Sequence, residues 1–159
     1  MNTVKYVLLG SLAFSLSAKA NPRVIIGGIE KVSFAGTTLS AKIDTGADHS
    51  SLHATNPEIY SKNGHRWVRF TVEGTDGKKT NLDTKIVRFT RIKQTNSRVK
   101  EKRIVIQLEI CLGAVRQSAQ VNLVDRSKHT HPMLIGRSFL KDKFLVDASQ
   151  QYRMTLQCG

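Results

Sequence analysis

The 159-residue sequence predicts an all-β fold: a single domain built as a closed or sandwiched β-sheet with one or two short helices. Three observations point there. Apolar residues recur at every second position in several segments, the period of a half-buried strand. Turn signals rich in Gly, Asn and Asp separate those segments at short intervals. Counted along the chain, the segments amount to about ten short strands against at most two short helices.

The first 20 residues stand apart. Lys5 supplies a positive start, Tyr6 to Leu16 is an apolar run, and Ala18-Lys19-Ala20 has the small-x-small pattern of a cleavage site. This is the arrangement of a secretory signal peptide. The apolar run is short for a bilayer span, so an uncleaved anchor is the rival reading. Residues 21–159 then form the expected domain, and 139 residues are enough to bury a core. Export implies a periplasmic or secreted protein with no membrane span after cleavage.

Within the domain, residues 23–34 read as a strand interrupted at Gly27-Gly28, and Gly36-Thr37 turns the chain. Leu39, Ala41 and Ile43 alternate with Ser40 and Lys42, which makes a strand that ends on Asp44. Asn56-Pro57 and Asn63-Gly64 are turn signals. Residues 66–73 alternate as a strand, and Asp76-Gly77 closes a hairpin onto residues 81–94. The polar, basic stretch 94–102 reads as an ordinary solvated loop or as a flap or mobile loop over a cleft. Residues 104–112 carry Ile104, Ile106, Leu108 and Ile110 in alternation. Gly113 turns them into 115–124, and a loop follows to Pro132. Met133-Leu134-Ile135 is an apolar strand before Gly136, where the backbone can pass close to a neighbour. A short helix is expected at 137–140, with closing strands at 144–146 and around Tyr152, Met154 and Leu156.

Asp44-Thr45-Gly46-Ala47 is the chemically informative stretch. An acid stands where an apolar strand meets a tight turn, so the loop can hold its carboxylate beside backbone N–H donors. Gly46 is expected to supply the turn conformation, and Thr45 adds a hydroxyl. Alone, the triplet is equally a strand-ending turn. Its context is more specific: Ser50-Ser51-Leu52-His53-Ala54 follows, and Leu134-Ile135-Gly136-Arg137 with Phe139-Leu140 and Val146-Asp147 stands downstream. Together these segments resemble one retropepsin-like aspartic peptidase family, labelled "ATP-dependent zinc protease", whose members often accompany ATP-grasp glutamate ligases.

The resemblance runs over about residues 23–152. It implies a retropepsin-like acid-protease barrel in which the Ile135-Gly136 strand passes behind the acid-bearing loop. Asp44, Thr45 and Gly46 would be catalytic, and Ala47 would face substrate. The implied substrate is a glutamate-rich or otherwise acidic peptide, with Arg88, Arg98, Arg103 and Arg137 as candidate contacts. The label's ATP and zinc find no support in the residues. There is no Gly-rich phosphate loop with its Lys, and His49/His53 or His129/His131 lack a third ligand. No cofactor and no metal is expected.

Aspartic-protease chemistry uses two carboxylates sharing one proton, and this chain has one Asp-Thr-Gly. The expectation is therefore a homodimer pairing two Asp44 side chains across a two-fold axis. Asp48, Asp125 and Asp147 are weaker candidates, and Asp147 is as easily a turn former. The net charge is +13, or +11 without the leader, which favours anionic partners. Nucleic acid is not expected, since no basic groove interleaved with aromatics is visible. Cys111 and Cys158 are free to pair in an oxidising compartment, with free thiols or an intersubunit bond as alternatives. Two further functions fit the same residues. A non-catalytic module could use the basic face to bind an anionic polymer or a protein partner, and a metallohydrolase could use the histidines.

Overall fold

The computed structural model describes residues 22–93 and 100–158. Ten strands and one short helix occur among them: β1 (Val24–Phe34), β2 (Thr37–Ile43), β3 (Ser50–His53), β4 (Thr55–Lys62), β5 (His65–Glu73), β6 (Lys79–Lys93), β7 (Lys100–Leu112), β8 (Val115–Val124), β9 (Met133–Ile135), α1 (Arg137–Leu140) and β10 (Phe144–Gln151).

Six strands close a barrel in the order β1-β2-β9-β3-β8-β7, and the pair Ser33 with Cys111 joins β7 back to β1. Closure leaves those strands without a free edge. β10 runs parallel to β1, and β6, β5 and β4 continue outward from β7 as antiparallel neighbours. The inward residues of the alternating segments fill the core. Leu39, Ala41 and Ile43 of β2, Val68, Phe70 and Val72 of β5, and Ile106 and Ile110 of β7 are all buried. Val105, on the other face of β7, is also buried, where it pairs laterally with Arg88 and Asn122.

Three local expectations need correction. Gly27-Gly28 does not break β1. The strand runs through, with a register shift between Gly27 and Ile29, and a Cβ on Gly27 would lie 2.6 Å from the Gln150 carbonyl oxygen. The glycine is there to let β10 approach. Asn56-Pro57 is not a chain reversal but a bulge within β4: Asn56 has φ 52°, and the pairing with β5 shifts between Thr55 and Glu58. The stretch around Tyr152, Met154 and Leu156 is not a strand.

That C-terminal stretch is fastened by other means. Glu30, fully buried in β1, accepts N–H bonds from Gly27 (2.6 Å), Arg153 (3.1 Å) and Met154 (3.1 Å). A disulfide joins Cys158 to Cys111 at the barrel seam. The Asn63-Gly64 and Gly113 turns form as read, with Asn63 and both glycines at positive φ.

Candidate active site

The site is built where β2 ends against β9. Ile43 pairs with Ile135, and the next N–H, that of Asp44, bonds to the Ile135 carbonyl at 2.9 Å. The half-buried Asp44 carboxyl then turns back over its own loop. Its Oδ1 accepts the N–H of Gly46 at 2.9 Å and of Ala47 at 3.2 Å. Gly46 matters for space rather than for a left-handed backbone: it is not among the positive-φ glycines, and a Cβ there would stand 3.2 Å from that same Oδ1. Thr45 and Gly46 are exposed.

A second layer holds this loop from behind. The Gly136 N–H donates to Ser50 Oγ (3.2 Å), Arg137 N–H to the Ala47 carbonyl (2.8 Å), and Ser138 N–H to the Asp48 carbonyl (3.0 Å). Gly136 is the contact point. A Cβ on it would come within 2.6 Å of His49 C and 3.0 Å of the Ala47 oxygen. Arg137 adds a brace from the side. Its Nη1 donates to the Thr45 and Gly46 carbonyls (3.1 and 3.2 Å), and its Nη2 pairs with Asp48. Arg137 is thus committed to the Asp44 loop in the single chain.

The other basic candidates spread over the outer face of the barrel wall. A lateral row of paired residues runs Lys42, Leu134, Ser51, Asn122, Val105, Arg88 across β2, β9, β3, β8, β7 and β6. Arg88, half-buried, donates from Nε and Nη2 to Gln120 Oε1 at 3.2 and 3.1 Å. Arg103 pairs with Glu101 at 2.8 Å, and its buried Nε has no partner among the described residues. Arg98 lies outside the described residues.

Arg126 escaped the sequence reading because nothing distinguishes it within a polar loop. It is buried, with Nε on the His131 carbonyl (3.1 Å) and Nη1 on Ser51 Oγ (3.1 Å).

His49 and His53 do not share a helical face, since Ser50–His53 is β3. His53 Nδ1 accepts the Arg126 N–H at 2.8 Å. His131 Nδ1 meets Ser40 Oγ at 2.9 Å, while His129 is exposed in the loop. No group of three metal-ligating side chains occurs among the described residues. Asp147 behaves as the turn former. It accepts the N–H and hydroxyl of Ser149 at 3.0 and 2.6 Å, and these two donors hold its pKa below the usual carboxylate value.

A closed six-strand barrel carrying an Asp-Thr-Gly loop braced by an apolar-Gly strand defines the retropepsin-like acid-protease class. The chain belongs to the RimB-like family, described as retropepsin-like aspartic endopeptidase RimB, whose family model matches residues 25–156. Among similar solved structures is a Legionella pneumophila protein of unknown function. It is 32% identical with a TM-score of 0.72, and the match covers 84% of this chain and 100% of that one. Two curated relatives, from Shewanella halifaxensis and Shewanella pealeana, are each named probable alpha-L-glutamate ligase. They are 30% and 31% identical over 82% of this chain. The match spans only 30% of the length of each of these relatives.

Proposed function

We propose that the protein is an aspartic-type endopeptidase that works as a homodimer and cleaves acidic, glutamate-rich peptides. The observation that carries this reading is the Asp44 loop. One carboxyl oxygen is fixed by two backbone N–H groups, inside a loop braced from behind by β9 and α1. Such bracing holds a carboxyl within the narrow tolerance that catalysis needs. One Asp-Thr-Gly per chain supplies half of a two-carboxylate site, so a second copy must bring the other half.

In the assembled pair the two Asp44 carboxyls share a proton and hold a water between them. The ionised member takes a proton from that water, and the water oxygen attacks the peptide carbonyl. The protonated member hydrogen-bonds the carbonyl oxygen as negative charge develops on it. The proton gained is then delivered to the departing amine.

The substrate class is supported from two sides. The chain is strongly basic, and Arg88 and Arg103 lie on the outer face of the wall. Relatives that carry a domain of this kind within a longer chain are named for ligation of glutamate. Export to the periplasm or beyond is supported by the leader-like first 20 residues and by the Cys111–Cys158 disulfide, a bond of oxidising compartments.

Purified protein incubated with poly-glutamate and with casein tests the proposal. Wild type should release shorter poly-glutamate products, and Asp44→Asn should not. Full cleavage by Asp44→Asn would remove the mechanism. Salt-sensitive binding of poly-glutamate without turnover in wild type would leave a binding module on the same fold.

A further inference from the structure

The loop between β8 and β9 contains a charge that peptide hydrolysis does not use. Arg126 is only 8% exposed, yet no carboxylate among the described residues lies within ion-pair distance of it. Its Nε and Nη1 are spent on neutral oxygens, which leaves Nη2 as the remaining donor edge. Buried charges are normally paired, because taking a cation out of water is costly. That cost shows in the group itself: burial lowers the Arg126 pKa, the charge on Arg103 lowers it further, and only Asp44 acts in the opposite sense.

Arg126 lines a hollow of about 320 Å³ together with Arg103, Lys128 and His129. Two acids share the lining, and each already has partners. Glu101 Oε2 accepts Arg103 Nη2 at 2.8 Å. Asp125 Oδ1 accepts the Ser127 N–H at 2.8 Å, and the charge of Lys128 acts on it as well. Arg126 is the buried cation of this lining, and it has no ion pair among the described residues. Lys128 and His129 are exposed in the same loop.

We propose that this hollow is an oxyanion-binding site, in which a carboxylate or phosphate group sits against Arg126 with Arg103 and Lys128 beside it. A planar guanidinium edge matches such a group in geometry as well as charge. The volume suits a small free anion or the end of one acidic side chain, and not a bulky ligand. Binding here requires neither a second copy nor the Asp44 carboxyl, so the site stands or falls separately from the peptidase reading.

The test is a titration followed by amide and guanidinium NMR at constant ionic strength set with sodium chloride. The probes are inorganic phosphate, glutarate and an end-blocked glutamate tripeptide, all added to Asp44→Asn protein so that nothing is cleaved and the three affinities are compared in one protein. The site predicts saturable binding with shifts at Arg126 Nε–H and the Ser127 and Lys128 amides. Equal affinities for the probes would identify a free-anion site, and tighter peptide binding a side-chain site. Arg126→Gln should weaken binding at least tenfold. Because that variant removes a buried group and can fail to fold, Lys128→Ala with His129→Ala provides the second arm. Both residues are exposed, and their loss should weaken binding several-fold in a normally folded protein. Absence of saturable binding by all three probes would overturn the proposal, as would affinities unchanged in the folded Lys128→Ala/His129→Ala variant.

Discussion

Replacing Glu30 gives the most quantitative check on how the fold is fastened. Its carboxyl is fully buried and accepts three backbone N–H bonds, two of them from the C-terminal stretch that forms no strand. In Glu30→Gln the amide oxygen can keep the pair of bonds made by Oε1, to Gly27 and Arg153. The amide nitrogen then faces the Met154 N–H, donor against donor. One bond is lost and a buried donor is stranded, which costs about 2 kcal/mol. That corresponds to a fall in Tm of about 5 °C for a domain of this size.

Glu30→Ala strands all three N–H groups and leaves a void, so about 4 kcal/mol or more is expected. Urea denaturation gives the two free energies, and hydrogen exchange at Arg153 and Met154 shows where they act. Those amides should lose protection before the β5 and β7 amides do. Equal stability of wild type and both variants would refute the claim that Glu30 secures the tail. So would protection lost uniformly across the barrel.

Other consequences are simpler to state. Gly136→Ala puts a methyl into the His49 and Ala47 backbone, so it should destabilise by about 1–3 kcal/mol and perturb the Asp44 loop amides by NMR; an undisturbed loop would contradict the bracing. Cys158→Ser removes a crosslink across 47 residues, which on the chain-entropy account costs about 4 kcal/mol in denaturation experiments; stability equal to that of the oxidised protein would show that the tail is held without it. Asp147 is stabilised in its ionised form by Ser149, so its contribution is complete above the ordinary carboxylate value of 3.8 and fades as pH falls through its lowered folded value. Ser149→Ala should move the Asp147 midpoint up toward 3.8 in a carboxyl-detected titration, and a midpoint that does not move would remove the assigned cause.

Much of this molecule was legible where one face of a strand is buried and the other is not. β2, β5 and β7 announce themselves by alternation, and the loop at Asp44 follows from an acid placed at the end of such a strand. The misreadings share a cause. Gly27-Gly28 and Asn56-Pro57 carry the composition of breaks, but tertiary pairing uses them as a close approach and a bulge. The last residues alternate like a strand, yet β10 already occupies the edge beside β1, so the tail is held by Glu30 and a disulfide instead. Arg126 was invisible because its significance is burial without a counter-ion among the described residues, which only the packing of β3, β8 and the following loop creates.

Subunit mixing bears most directly on the paired-carboxyl site. Wild type and Asp44→Asn are combined at fixed total concentration, allowed to exchange, and assayed on poly-glutamate. If each active unit needs Asp44 from two copies, activity falls as the square of the wild-type fraction, to about one quarter in an equal mixture. A fall in simple proportion, to about one half, would mean that each chain acts alone and would contradict the account.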